Sequence, residues 1–110
     1  MSRSLLEVLH HMMSELQFLK VNAQQINQES FLSDEILKRA FVRSLEIIGE
    51  AAKAIPQDFK YKHPEIEWKS MAGMRDKLIH HYFGVDYELV WDVVENEVDE
   101  LLYQDRDYYQ

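Results

Sequence analysis

An all-α fold, an antiparallel bundle of four helices or five, is predicted by three features of the chain. Apolar residues recur at alternating spacings of four and three, no segment alternates with a period of two, and only three Gly and two Pro interrupt 110 residues.

The first helix is read from Leu5, Leu9, Met12, Leu16, Leu19, Ala23 and Ile26, which form one stripe. The polar run Asn27-Gln28-Glu29-Ser30 follows as a connection. Ser33 is the expected N-cap of the second helix, with Asp34 and Glu35 in the first turn and Leu32 and Leu37 as a hydrophobic staple. Its buried side is Leu37, Phe41, Ser44, Ile48, Ala51 and Ile55, and Pro56 ends it. Gly49, Ala51 and Ala52 form a small-residue patch that lets another helix approach closely. Pro56 to Glu65 reads as a connection with room for a short helix. A third helix is expected from about Ile66 to Tyr82 or Phe83, with Gly84 as its C-terminal cap. Asp86 then caps the fourth, whose stripe is Tyr87, Trp91, Val94, Val98 and Leu101. Met12 and Met71 are read as core, not as a binding surface.

The length suits one domain spanning residues 1–110, with no internal repeat. No apolar run reaches the ~18–20 residues of a membrane span, and Met1-Ser2-Arg3-Ser4 leads straight into an amphipathic pattern, so a cytoplasmic protein is expected. With no Cys, thiolate metal sites are excluded, and five His (His10, His11, His63, His80, His81) would need carboxylate help to hold zinc; no metal is expected. The net charge of -8 is uneven. Asp86 to Gln110 carries nine acids against Arg106 alone, so residues 1–85 sum to zero. A solvated helix face accounts for that acidic end. Lys53 to Tyr82 holds six basic and four acidic residues plus three His, a locally positive surface without a long nucleic-acid groove.

The third helix carries the chemistry. Its stripe runs Trp68, Met71 or Ala72, then Arg75, then Ile79 and Tyr82, so a guanidinium interrupts an apolar face. Such a charge needs a partner, a cleft or a subunit interface. One reading is a structural salt bridge to Glu46 or Glu50. The other is a site, because His80 and His81 add a proton acceptor and donor beside the phosphate-binding fork of an arginine. On a straight helix His80 would sit about 140° from Arg75, so either the helix unwinds near Gly84 or two chains share a cleft. For a single His at a helix end, a capping or dipole role is the competing explanation.

The run Gly73-Met74-Arg75-Asp76-Lys77-Leu78-Ile79-His80-His81-Tyr82-Phe83-Gly84-Val85-Asp86 resembles the Arg-x4-His-x-Tyr signature of HepT-like proteins of the HEPN superfamily. Ile48-Gly49-Glu50-Ala51-Ala52 upstream, Trp68 before the motif and Val90-Trp91 after it strengthen the likeness, which covers about Lys38 to Leu102. The resemblance implies a helical HEPN bundle and the toxin of a toxin–antitoxin pair. It also implies a metal-independent ribonuclease acting as a homodimer, with two motifs near the interface. Its antitoxin would be a minimal nucleotidyltransferase of the MntA type that transfers AMP to Tyr82.

On that basis His80 is expected to act as acid or base and Arg75 to clamp the phosphate, with no cofactor. Asp76 would orient Arg75 or His80, Tyr82 would bind substrate or hold the histidine, and His81 is the reserve candidate. The alternative, from a different class, is a non-catalytic helical module that binds nucleotide or the partner nucleotidyltransferase; the acidic Asp86–Gln110 segment is the feature that favours it.

Overall fold

The structure is a computed structural model that describes residues 4–80 and 84–105, with the backbone alone described at 75, 77, 79, 80, 104 and 105. It is all-α. Three long helices, α1 (Leu5–Ala23), α3 (Glu35–Ala54) and α7 (Tyr87–Asp105), pack on one another. Four short ones, α2 (Gln28–Ser33), α4 (Gln57–Lys62), α5 (Trp68–Ala72) and α6 (Met74–Leu78), close the gaps. Among the described residues the one other regular element is a ladder of β1 (Ile79–His80) and β2 (Gly84–Val85). No described helix is long and apolar enough to cross a membrane.

Helix α1 buries the stripe expected of it. Leu9, Met12, Leu16 and Leu19 are inside, joined by Val8 and Met13, while Leu5 and Ala23 are half-buried at the ends. Ser4 caps it by accepting from the Glu7 amide at 3.2 Å. The polar run after it is not a plain connection. Asn27 accepts from the Ser30 amide at 2.8 Å and starts α2, whose one buried residue, Phe31, is completely enclosed. Its ring lies 4.9 Å from that of Phe41 on α3 and 5.3 Å from Trp91 on α7. Burying such a ring is worth about 1.5–3 kcal/mol, which offsets part of the cost of ordering a six-residue helix.

Asp34, not Ser33, caps α3: its Oδ1 accepts from the amides of Ile36 and Leu37, both at 3.0 Å. Ser33 instead closes α2, donating its hydroxyl to the carbonyls of Glu29 and Ser30. Along α3 the buried positions are Phe41, Ser44, Leu45, Ile48, Gly49 and Ala52; Leu37 and Ala51 are only half-buried. Helix α7 keeps the expected face, with Trp91, Val94, Val98 and Leu101 buried together with Val90 and Val93, and leaves Glu88, Asp92, Glu95, Asp99 and Glu100 exposed. That is the solvated acidic face read from the sequence, and Lys20 of α1 reaches across to Asp99 at 3.2 Å.

Candidate active site

Helices α5 and α6 rest on α3, and α6 also meets α7. Gly49 makes the first contact possible. A Cβ there would lie 3.3 Å from the Met71 carbonyl oxygen and 3.4 Å from that of Ala72, so the absence of a side chain lets α5 rest on the α3 backbone. Trp68 is buried and donates its indole N–H to the His63 carbonyl at 3.0 Å. Phe59 of α4 meets Trp68 edge-on at 5.9 Å and stacks obliquely on His63 at 4.4 Å. This aromatic corner fixes where α5 begins.

The continuous third helix expected over 66–83 is divided. Helix α5 stops at Ala72, Gly73 serves as its C-cap, α6 covers Met74–Leu78, and the chain then becomes extended. Among the described residues of this stretch the buried side chains are Trp68, Met71, Met74 and Leu78. The side chain of Arg75, on which the expected charge in the stripe rests, lies outside the described residues. Of the two ways considered around the 140° of a straight helix, the helix does unwind: Arg75 belongs to α6 and His80 to β1.

The break is built from backbone. Ile79 pairs with Val85 and His80 with Gly84 in antiparallel register, and the Asp86 amide donates to the Leu78 carbonyl at 3.0 Å. Gly84 has φ +79, the left-handed region that costs other L-residues energy, so it serves inside β2 and not as a helix C-cap. Asp86 is the expected cap of α7: its Oδ1 accepts from the Leu89 amide at 3.1 Å and its carbonyl from Val90 at 3.0 Å. Lys38 of α3 stands 4.5 Å over the Tyr87 ring and ties this end of α7 to α3.

Of the predicted site residues, Asp76 is exposed on α6, and Arg75 and His80 sit either side of the helix-to-strand junction. His81 and Tyr82 lie outside the described residues, between the two strands in sequence. Glu46 and Glu50, the carboxylates considered for a structural ion pair, are both on α3. Among the described residues no three His, Asp or Glu side chains come together as a metal site.

One feature escaped sequence reasoning. Beside α5 a cleft of about 980 Å³ opens between α4, the 63–67 connection and α5, lined by Gln57, Lys60, Tyr61, Pro64, Ile66, Glu67, Trp68, Lys69, Ser70 and Ala72. Tyr61 is 84% exposed there, and only its placement beside two lysines in a mixed segment could have hinted at a surface role.

Comparison with known proteins agrees with this architecture. Residues 12–104 match the family described as "Ribonuclease HepT-like". A protein of Caldanaerobacter subterraneus subsp. tengcongensis named "Putative RNase TTE0752" is 49% identical over 102 residues, covering 93% of this chain and 91% of that protein. The "Probable ribonuclease HepT" of Thermococcus cleftensis is 46% identical over 101 residues, covering 92% of each. A "Putative RNase MJ0127" of Methanocaldococcus jannaschii is 56% identical over 70 residues, 64% of this chain and 58% of that one. No solved structure matches significantly. The chain belongs to the HepT-like family of ribonucleases.

Proposed function

We propose that this chain is the toxin of a toxin–antitoxin pair, a metal-independent endoribonuclease of the cytoplasm whose site is Arg75, His80 and Tyr82. The observation that carries this reading is the junction at Leu78, where a helix bearing Arg75 becomes a strand bearing His80, pinned by the Asp86 amide on the Leu78 carbonyl. A motif residue that follows a regular helix is bound to the helix's angular spacing; one on a strand is not.

In the proposed reaction a base removes the proton of a ribose 2′-hydroxyl, and the 2′-oxygen attacks the adjacent phosphorus. The bond from phosphorus to the 5′-oxygen breaks, and an acid protonates the leaving oxygen, giving a 2′,3′-cyclic phosphate and a 5′-hydroxyl. His80 supplies one proton transfer, Arg75 neutralises the charge that builds on the phosphate oxygens, and Asp76 orients one of them. A homodimer brings the second histidine. Tyr82 holds substrate or the imidazole, with His81 in reserve. A minimal nucleotidyltransferase antitoxin of the MntA type silences the site by adding AMP to Tyr82, which blocks it with bulk and negative charge.

Membership of a ribonuclease family favours this reading over a non-catalytic nucleotide- or partner-binding module. The test is induction of the wild-type chain and a folded His80→Ala variant, followed by growth and RNA integrity. Arrest with RNA cleavage is expected from the wild type alone, and equal behaviour of the two would refute a site at His80. Co-expression with the neighbouring nucleotidyltransferase should add about 329 Da per AMP in intact mass, absent in Tyr82→Phe.

A further inference from the structure

Resting on the ribonuclease reading, we infer that the cleft between α4 and α5 is a subsite for single-stranded RNA, in which a base stacks on Tyr61 and the backbone phosphates meet Lys60 and Lys69. A tyrosine in a small helical protein ordinarily buries its ring, and Tyr61 does not: it is 84% exposed at the mouth of a cleft of about 980 Å³. One wall of the cleft is already braced. Trp68 is fixed by its hydrogen bond to the His63 carbonyl and by Phe59 against its edge, so binding requires little ordering of the protein.

Charge selects the occupant. The cleft lining carries two lysines and one carboxylate, Glu67, in a chain whose overall charge is -8. Two further acids of this stretch, Asp58 on α4 and Glu65, which lies 3.5 Å from His63 Nδ1, are not part of the lining. An exposed aromatic beside cations is what unpaired nucleotides bind, the ring taking the base face and the ammonium groups the phosphates. Position completes the argument. The lining ends at Ala72 of α5, and α6, which carries Arg75, begins two residues on at Met74. In this proposal a strand seated in the cleft continues toward the Arg75–His80 junction, and double-stranded RNA, whose bases are stacked on each other, cannot use the Tyr61 face.

The test is fluorescence anisotropy with a labelled single-stranded RNA of eight mixed-sequence nucleotides, using the full chain in a His80→Ala background so that nothing is cleaved. Tyr61→Ala should weaken binding about tenfold while Tyr61→Phe binds like the parent. Lys60→Gln and Lys69→Gln should each lower the slope of log affinity against log salt by about 0.7. Equal affinity of Tyr61→Ala and the parent overturns the proposal, as does a parent that fails to bind the RNA. A change in oligomeric state in Tyr61→Ala without loss of RNA binding also overturns it and assigns the cleft to a second copy of the chain. Cleavage by the otherwise wild-type enzyme is read separately: activity that survives His80→Ala refutes the proposed site while leaving the Tyr61 result to decide the subsite.

Discussion

Gly84→Ala separates the hairpin from the bundle. At φ +79 an alanine costs about 1–2 kcal/mol in the left-handed region, and its stiffer unfolded chain returns about 0.4–1 kcal/mol. No atom lies within 4 Å of the added Cβ, so no clash contributes. The net penalty is about 1 kcal/mol, a factor of about five in an equilibrium constant. That strain falls on a ladder of two residues per strand, which can open while the core stays closed. The Asp86 amide, bonded to the Leu78 carbonyl, reports that opening directly. Hydrogen exchange at Asp86 should accelerate about fivefold with core amides of α3 unchanged, cleavage should fall by much less because a mostly closed ladder loses little of its closed population, and Gly84→Asn should lie between. An unchanged Asp86 exchange rate together with full cleavage would show that the left-handed backbone at position 84 does not hold the junction.

Four other substitutions test the junction and the bundle that supports it. Gly49→Val drives two methyl groups toward the Met71 and Ala72 carbonyls and should cost about 1–3 kcal/mol in urea unfolding, with cleavage reduced because α5 carries α6. Asp34→Ala and Asp86→Ala each remove an N-cap and should each cost about 1 kcal/mol by thermal melting, but only Asp86→Ala, beside the hairpin, should also lower cleavage. Phe41→Ala removes a fully buried ring in contact with Phe31 and should cost about 3–5 kcal/mol.

The long helices were legible because each repeats its apolar spacing over nineteen or twenty residues, enough turns for the stripe to be unambiguous. The Asp86 cap and the close approach at Gly49 were legible from single residues, since each does a job that few side chains can. Helix α2 was hidden because Phe31 is its one buried residue, and one apolar position has no period. The break in the third helix was hidden for a related reason. Strands of two residues are shorter than any alternation that can be read, and Ile79 fits a helical stripe as well as a ladder. Once the helix is divided at Gly73, Met74 and Leu78 take buried positions that the straight-helix stripe did not include, which spacing alone could not reveal. The motif was readable through its likeness to a family; the backbone that presents it was not.

Net charge misleads for a molecule of this size. At physiological ionic strength charges act over about 8 Å, whereas the chain extends 41 Å along its longest axis, so distant groups are screened from one another. Glu88, Asp92, Glu95, Asp99 and Glu100 lie on the exposed face of α7, above valines and a tryptophan on its buried side, and Asp99 is engaged by Lys20 of α1. The lysines at Tyr61 lie on α4 and α5. With two lysines in the lining of the proposed subsite, counterion release there would give only a shallow salt dependence, and most of the affinity for RNA would have to come from contacts that salt does not screen. Stacking on an exposed aromatic is such a contact, and it discriminates unpaired from paired RNA without reading sequence. A ribonuclease built this way would choose its cleavage positions by where a strand is unpaired before it chooses them by which bases are present.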